Sequence, residues 1–235
     1  MRGAGDRVAR RSALLLSGLT LYGVSTALLV RAGLGTDPWT VLTQGVAHAT
    51  GLSLGAVMVV ISAVLFALWV PLRQRPGIGT IANAALVGPV LDLALRSLPV
   101  PGPWPWRLLF LLAGVVGTSV ATGLYVGAGW GPGPRDGLMT GLARLGVPVL
   151  VARTLIEISV LLGGWLLGGT VGIGTAVYAA GIGPLVAFFL PRLALKPTQP
   201  QTAAATTCSA STVFRSSAAV RTRRRPPPPE QPCAK

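Results

Sequence analysis

Acid is scarce in this chain of 235 residues, with six Asp and Glu against twenty Lys and Arg and a formal net charge of +14. Charged residues of both signs make up only 11% of it, under half of the ~25% that soluble domains carry. There is one histidine, His48, and the two cysteines, Cys208 and Cys233, fall close to the C-terminus. These shortages exclude whole classes of chemistry. A lone imidazole has no second ligand with which to hold a metal, and no partner for acid–base work. Two distant cysteines give neither a disulfide framework nor a zinc spacing. With no Ser/His pair and no HExxH motif the chain reads as no enzyme, with no catalytic residue, metal or cofactor to assign.

What is present is apolar. The chain is 51% hydrophobic with a mean hydropathy of +0.64, and a soluble globule of this length would need far more polar surface. Aromatics are few, at 6%, while glycine is abundant, at 31 residues, a balance that suits helices packed closely in lipid. The positive charge lies between apolar runs, where membrane orientation requires it.

The runs predict six spans, at 12–30, 53–72, 77–95, 108–129, 149–168 and 174–191, each near the length that crosses a hydrocarbon core. Residues 1–11 form a basic arm. Between the first and second spans, Asp37 and Pro38 mark a helix start, as N-cap and first-turn proline; the segment 39–50 that follows is too short to cross. A second short segment, 138–146, follows Pro134, Arg135 and Asp136. Residues 97–107 form an external loop in which Trp104 and Trp106 suit the headgroup belt. Residues 196–235 are rich in Ser, Thr, Pro and Arg, cannot bury a core, and are expected to be disordered.

The chain also repeats itself. Laying 28–47 over 124–143 matches Gly33, Gly35, Pro38 and Gly45 with Gly129, Gly131, Pro134 and Gly141. Further on, Gly77, Gly79 and Thr80 recur as Gly172, Gly174 and Thr175, and Gly88-Pro89 as Gly183-Pro184. Each half therefore reads as a span, a Gly/Pro break, a short half-helix and two more spans. Three spans per half is odd, so the second half enters from the opposite side. The expected fold is all-α: six transmembrane helices as two inverted three-helix repeats, 12–96 and 108–195. With both termini cytoplasmic, Arg2, Arg7, Arg10, Arg11, Arg73, Arg75, Arg135, Arg144, Arg192 and Lys196 lie inside, and only Arg31, Arg96 and Arg107 outside, in keeping with the positive-inside rule.

The paired Gly-x-Gly-x-x-Pro breaks, the run from Gly133 through Arg135 and Asp136 to Met139, and the closures at Gly77–Thr80 and Gly172–Thr175 resemble the YczE-like family of bacterial integral membrane proteins, relatives of the YitT group. The resemblance covers about 12–192. It implies a polytopic inner-membrane protein and supplies no substrate or catalytic residue.

The candidate binding residues are Asp37, Trp39, Asn83, Arg135, Asp136, Arg153 and Glu157. Half-helix ends at Asp37 and Arg135 present unpaired N–H groups and can hold an anion; equally, Asp37 caps its own helix and Arg135 marks the cytoplasmic side. Arg153 and Glu157 stand four apart on one helix face, about 12 Å into a span for Glu157, and that face should point into the bundle. The pair serves either structure or solute. Asn83 serves either a neighbouring helix or a solute, Asp92 near its span end is expected at the interface, and His48 is expected to be interfacial. Arg223, Arg224 and Arg225 suit anionic lipid; with no stacking aromatic beside them, no nucleic acid is expected. The implied partners are the bilayer, a small solute or ion, and a further copy of the chain. Two functions fit: a small-solute transporter-like permease, favoured by the inverted repeat and broken helices, or a non-transporting sensor, scaffold or regulator, favoured by small size and a sparse polar site.

Overall fold

Asp37 does what its place before Pro38 predicts. Its backbone is extended, at φ −64° and ψ 154°, and its carboxylate accepts from the Thr40 N–H. The helix it starts is one of eight in the computed structural model, which describes residues 2–193 apart from Arg73, Arg75, Pro132, Leu145 and Val147. These residues belong to one compact unit. The tail beyond, with Lys196, both cysteines and the arginines near the C-terminus, lies outside the described residues, as do Arg73 and Arg75.

Among the described residues all regular structure is helical: α1 (Arg2–Ala32), α2 (Pro38–Thr50), α3 (Leu54–Trp69), α4 (Ile78–Ser97), α5 (Trp104–Gly127), α6 (Pro134–Arg144), α7 (Val149–Leu166) and α8 (Ile173–Leu193). Four stretches are long and apolar enough to cross a membrane: Val8–Ala32, Ile78–Ser97, Trp104–Gly127 and Ile173–Leu193. The α2–α3 pair adds a fifth if it is one span bent by 112°.

Three boundaries differ from the sequence reading. The helix of the first span begins at Arg2, so the basic arm is wound into it, because its Ala and Arg residues favour helix. Pro134 opens α6, four residues ahead of the expected start, since proline is preorganised for a first helical turn. Trp104 and Trp106 are likewise in the first turn of α5 rather than in a loop, and remain 54% and 56% exposed.

Polar side chains close the helix ends. Ser53 caps α3 through the Ala56 N–H. Asp92 reaches over from α4 to accept from the Ser53 hydroxyl at 2.6 Å and the Gly55 N–H at 2.8 Å, which makes the expected interfacial carboxylate a half-buried cap. Arg107 donates to the Ala32 and Gly33 carbonyls at 2.9 and 3.1 Å, and Arg31 donates to Leu95 O. Cations thus sit on the C-terminal ends of α1 and α4, where the dipole favours them. His48 is exposed in the last turn of α2.

The packing runs α4 on α1, α1 on α5, α5 on α8, with α3 along α4 and α7 across α2. Leu15, Leu19, Leu91 and Tyr125 anchor one apolar cluster, and Leu29, Leu111 and Val115 a second. Apolar side chains such as Val60, Val64, Leu93, Leu109 and Leu166 stay exposed, as lipid contact requires. Two inter-helix contacts have equivalent partners in the two halves. The Gly79 N–H at the start of α4 donates to Trp130 O at 2.9 Å, and the Gly174 N–H at the start of α8 donates to Leu34 O at 2.7 Å. Each clamps the loop that leads into a short helix, α6 or α2.

Small residues set the α2–α7 crossing. A Cβ on Gly45 would stand 2.5 Å from Gly164 O and 2.7 Å from Leu167 Cβ, and one on Gly164 would meet Leu42 Cα at 2.5 Å. Gly164→Ala is therefore expected to cost about 2 kcal/mol through forced separation. Gly183→Ala in α8, where a Cβ meets nothing within 4 Å, should stabilise by up to ~1 kcal/mol through helix propensity. Melting of the two variants in detergent checks the contrast, and equal shifts would contradict the close crossing.

Candidate functional site

The two breaks meet. Asp37 at the N-terminus of α2 is 4% exposed, and Arg135 in the first turn of α6 donates to its Oδ2 at 3.2 Å. The same carboxylate accepts from the Thr40 N–H at 3.2 Å and from the Thr40 hydroxyl. The guanidinium lies over the indole of Trp39, 5.3 Å from the ring centroid, within the range of a cation–π contact. Asp37 therefore caps its helix and also pairs across the two halves. Arg135, named from sequence both as a candidate binding residue and as a charge of the cytoplasmic side, is set into the bundle with a side chain only 23% exposed. The cause is local: α6 starts at Pro134, so Arg135 in its first turn reaches the start of the other half-helix.

Neighbouring elements hold this arrangement. The Trp69 indole N–H at the end of α3 donates to Pro134 O at 3.1 Å, fixing the start of α6. Tyr125 of α5 donates to Asp136 Oδ2 at 3.4 Å, a long contact, and stacks edge-on against Tyr22 of α1. Tyr178 of α8 is buried as well. All three tyrosines of the chain lie within electrostatic reach of Arg135. One residue before Asp37, the fully buried Thr36 hydroxyl has no hydrogen-bond partner among the described residues.

The structure thus brings together Asp37, Trp39, Arg135 and Asp136. It adds Tyr22, Tyr125, Tyr178, Thr36 and Trp69, which the sequence reading missed. The signal was available: phenols within glycine- and alanine-rich spans need a polar partner for the hydroxyl. Asn83 is half-buried on α4, and the hydrogen bonds of Asp37 and Arg135 do not involve it. Arg153 and Glu157 do pair, at 2.9 Å, but their side chains are 53% and 35% exposed. The inward-facing expectation is corrected: α7 packs closely on α2 at Gly164, near its far end, and the part of the same face that carries the pair is left open. Arg153 is still close enough to Asp136 to act on it electrostatically.

Such a constellation can hold a small charged or polar group. It offers a guanidinium, two carboxylates, an indole face, phenol hydroxyls and the N–H groups of two helix starts, all in surroundings where such interactions are strong.

Comparison with known proteins agrees with a membrane protein. Residues 9–191 match the model of a family of unknown function, DUF6198. An uncharacterized protein of Haemophilus influenzae is 40% identical over 188 residues, 80% of this chain and 86% of its own. The uncharacterized membrane protein YczE of Bacillus subtilis is 31% identical over 173 residues, 73% of this chain and 80% of its own. The uncharacterized protein YyaS of Bacillus subtilis is 26% identical over 179 residues, 74% of this chain and 89% of its own. No solved structure matches. With a match across 9–191 and YczE among its relatives, the chain is a lipid-contacting membrane protein that belongs to the family of unknown function DUF6198.

Proposed function

We propose that the chain is a small-solute permease of the cytoplasmic membrane, built as two inverted three-helix repeats that cross it six times. The observation that carries this reading is the meeting of two half-helix N-termini around the Asp37–Arg135 pair. A helix broken inside a bundle offers unpaired N–H groups to a solute, the device that inverted-repeat carriers use. The Gly79–Trp130 and Gly174–Leu34 hydrogen bonds support the repeat, since each joins the same position of one half to the same position of the other. In this reading α1, α3 and α4 are the spans of one half and α5, α7 and α8 those of the other. α3, with 16 residues, rises ~24 Å and would cross by local thinning of the bilayer.

Both termini are cytoplasmic in this arrangement, by the excess of arginine at the ends, in the loop after α3 and within α6. A reporter fused after Gln74 or Gly146 should be cytoplasmic, and one inserted at Gly102 external. Finding residues 74 and 102 on one side would end the six-span topology.

The solute sits against Arg135, Trp39 and the three phenols, and makes use of the unpaired Thr36 hydroxyl. No bond is made or broken, and no catalytic residue or cofactor is assigned. The test is melting of the purified full-length protein across a library of small solutes, followed by uptake into proteoliposomes. Some solute should raise the Tm of the wild type, fail to raise that of Arg135→Lys, and be taken up. A library without any such solute, or hits that are not taken up, would overturn the permease reading.

A further inference from the structure

The two halves are packed unequally, and the difference centres on one helix. In the first half α3 lies along α4: Gly88 is buried, and a Cβ built on it would stand 3.0 Å from Val59 Cγ2. Its counterpart in α8, Gly183, is exposed with nothing within 4 Å. The counterpart of α3 is α7, which among the described residues packs on α2 and α6 and makes no comparable contact with α8. As a result α8 is 17% buried along its apolar window, against 39% for α4.

The uncovered face is specific. Pro89 and Leu93 are exposed on α4, and so are their counterparts Pro184 and Phe188 on α8, so one lipid-facing stripe is common to both. Ala179, Gly183 and Ala187 are exposed in addition, whereas Ala84, Gly88 and Asp92 are buried or half-buried. The first half shows what covers this second stripe, namely its own middle span.

α7 carries the complementary mark. Buried positions fix its register on α3: Val57, 1% exposed, aligns with Ala152, 2% exposed. In that register Arg153 and Glu157 stand where α3 has Met58 and Ser62, which are 6% and 8% exposed. The repeat therefore buries the two positions at which α7 exposes an ion pair. A charged pair within a span normally faces a bundle or a cavity, because hydrocarbon solvates it poorly.

We propose that α7 has a second docking position along the Ala179, Gly183 and Ala187 face of α8, in which Arg153 and Glu157 turn into the bundle towards Asp136. This rests on the inverted repeat of the permease reading. Two equivalent halves in unequal arrangements define a second state of similar energy, reached by exchanging the arrangements, and that exchange moves access from one side of the site to the other. α3 leaves α4 as α7 closes on α8. Leu150, 75% exposed, stands where α3 has Gly55, and a Cβ on Gly55 would be 2.2 Å from Gly88 O, so α7 docks farther from α8 than α3 does from α4.

The test uses the full chain in native membranes with Cys208→Ser and Cys233→Ser, and adds Thr154→Cys with Gly183→Cys, the counterparts of Val59 and Gly88. Both positions are exposed, so the substitutions spare the fold. Mild oxidation should join the two thiols within one chain, at least tenfold more than in a Thr154→Cys, Leu93→Cys control. Adding Glu157→Gln should reduce the yield several-fold, because Arg153 would then enter the bundle without its carboxylate. Thiols that stay free at the control level would overturn the second docking position. Disulfides that join two chains would overturn it in favour of a second copy on this face, and a yield unmoved by Glu157→Gln would overturn the burial of the pair. An intrachain disulfide in a protein that takes up no solute would remove the permease reading and leave the docking standing. Uptake without the disulfide would do the reverse.

Discussion

Arg135→Ala is expected to destabilise the protein by about 3 kcal/mol, while Arg153→Ala should cost less than about 1 kcal/mol. Both substitutions remove an arginine from an ion pair of similar length, and the difference lies in what is left behind. Without Arg135, the Asp37 carboxylate remains at 4% exposure with, among the described residues, only Thr40 to bond it. Stranding a buried carboxylate costs ~3–5 kcal/mol, and the two Thr40 bonds together with the partial exposure of Arg135 place this case at the low end. The stacking on Trp39 is lost as well. Without Arg153, Glu157 keeps a side chain 35% exposed and loses little. Arg135→Lys should fall between, since an ammonium keeps the charge but lacks the planar face that lies on the indole. Asp37→Asn should cost less than Arg135→Ala, because the amide oxygen can still accept from the Thr40 N–H. Thermal melting in detergent of these variants, with the Asp37→Asn, Arg135→Ala double variant to close a cycle, measures the coupling. Additive losses, or equal losses at Arg135 and Arg153, would contradict a buried pair at the meeting of α2 and α6.

How much of this was legible beforehand differs between the elements and the site. The breaks were legible because glycine and proline act locally: Asp37 with Pro38 specifies a helix start whatever packs around it. The long apolar helices were legible because hydropathy is summed over many residues. The pairing of Asp37 with Arg135 was half legible. The repeat put both residues at equivalent breaks, but a sequence pattern does not say that the two breaks touch, so Arg135 read equally as an anion site at a half-helix end and as a charge of the cytoplasmic side. Tyr22, Tyr125 and Tyr178 went unread because each sits alone in its own helix, and only the packing of α1, α5 and α8 brings them to one place. The Arg153–Glu157 pair shows the opposite limit. Four-residue spacing established the pair itself, but the direction in which it points depends on which neighbours α7 chooses, and the two halves differ in that choice.

Gly35→Ala is expected to cost about 3 kcal/mol, and Gly51→Ala only about 1 kcal/mol, although both glycines have positive φ. Gly51 is at +73°, at the C-cap of α2, and a Cβ there meets nothing within 4 Å. Alanine at Gly51 suffers only the left-handed backbone. Gly35 is at +105°, and its Cβ would stand 2.6 Å from both the Gly172 N and Thr175 Oγ1 at the start of α8. Alanine there adds overpacking to a less accessible backbone, against partners that cannot withdraw: Gly174 is tied to Leu34 O at 2.7 Å, and the Gly172 N–H reaches Thr175 Oγ1 at 3.4 Å. Gly131, at +121° with its Cβ 2.9 Å from Thr80 Oγ1, should behave like Gly35 with a slightly smaller loss. The consequence reaches the site, because the loop held by Gly35 aims Asp37 at Arg135. A solute that stabilises the wild type should therefore lose its effect on Gly35→Ala and keep it on Gly51→Ala, when both are melted below their own midpoints with and without that solute. Equal destabilisation of the two variants would mean that the loop yields freely and that α8 does not clamp the start of α2.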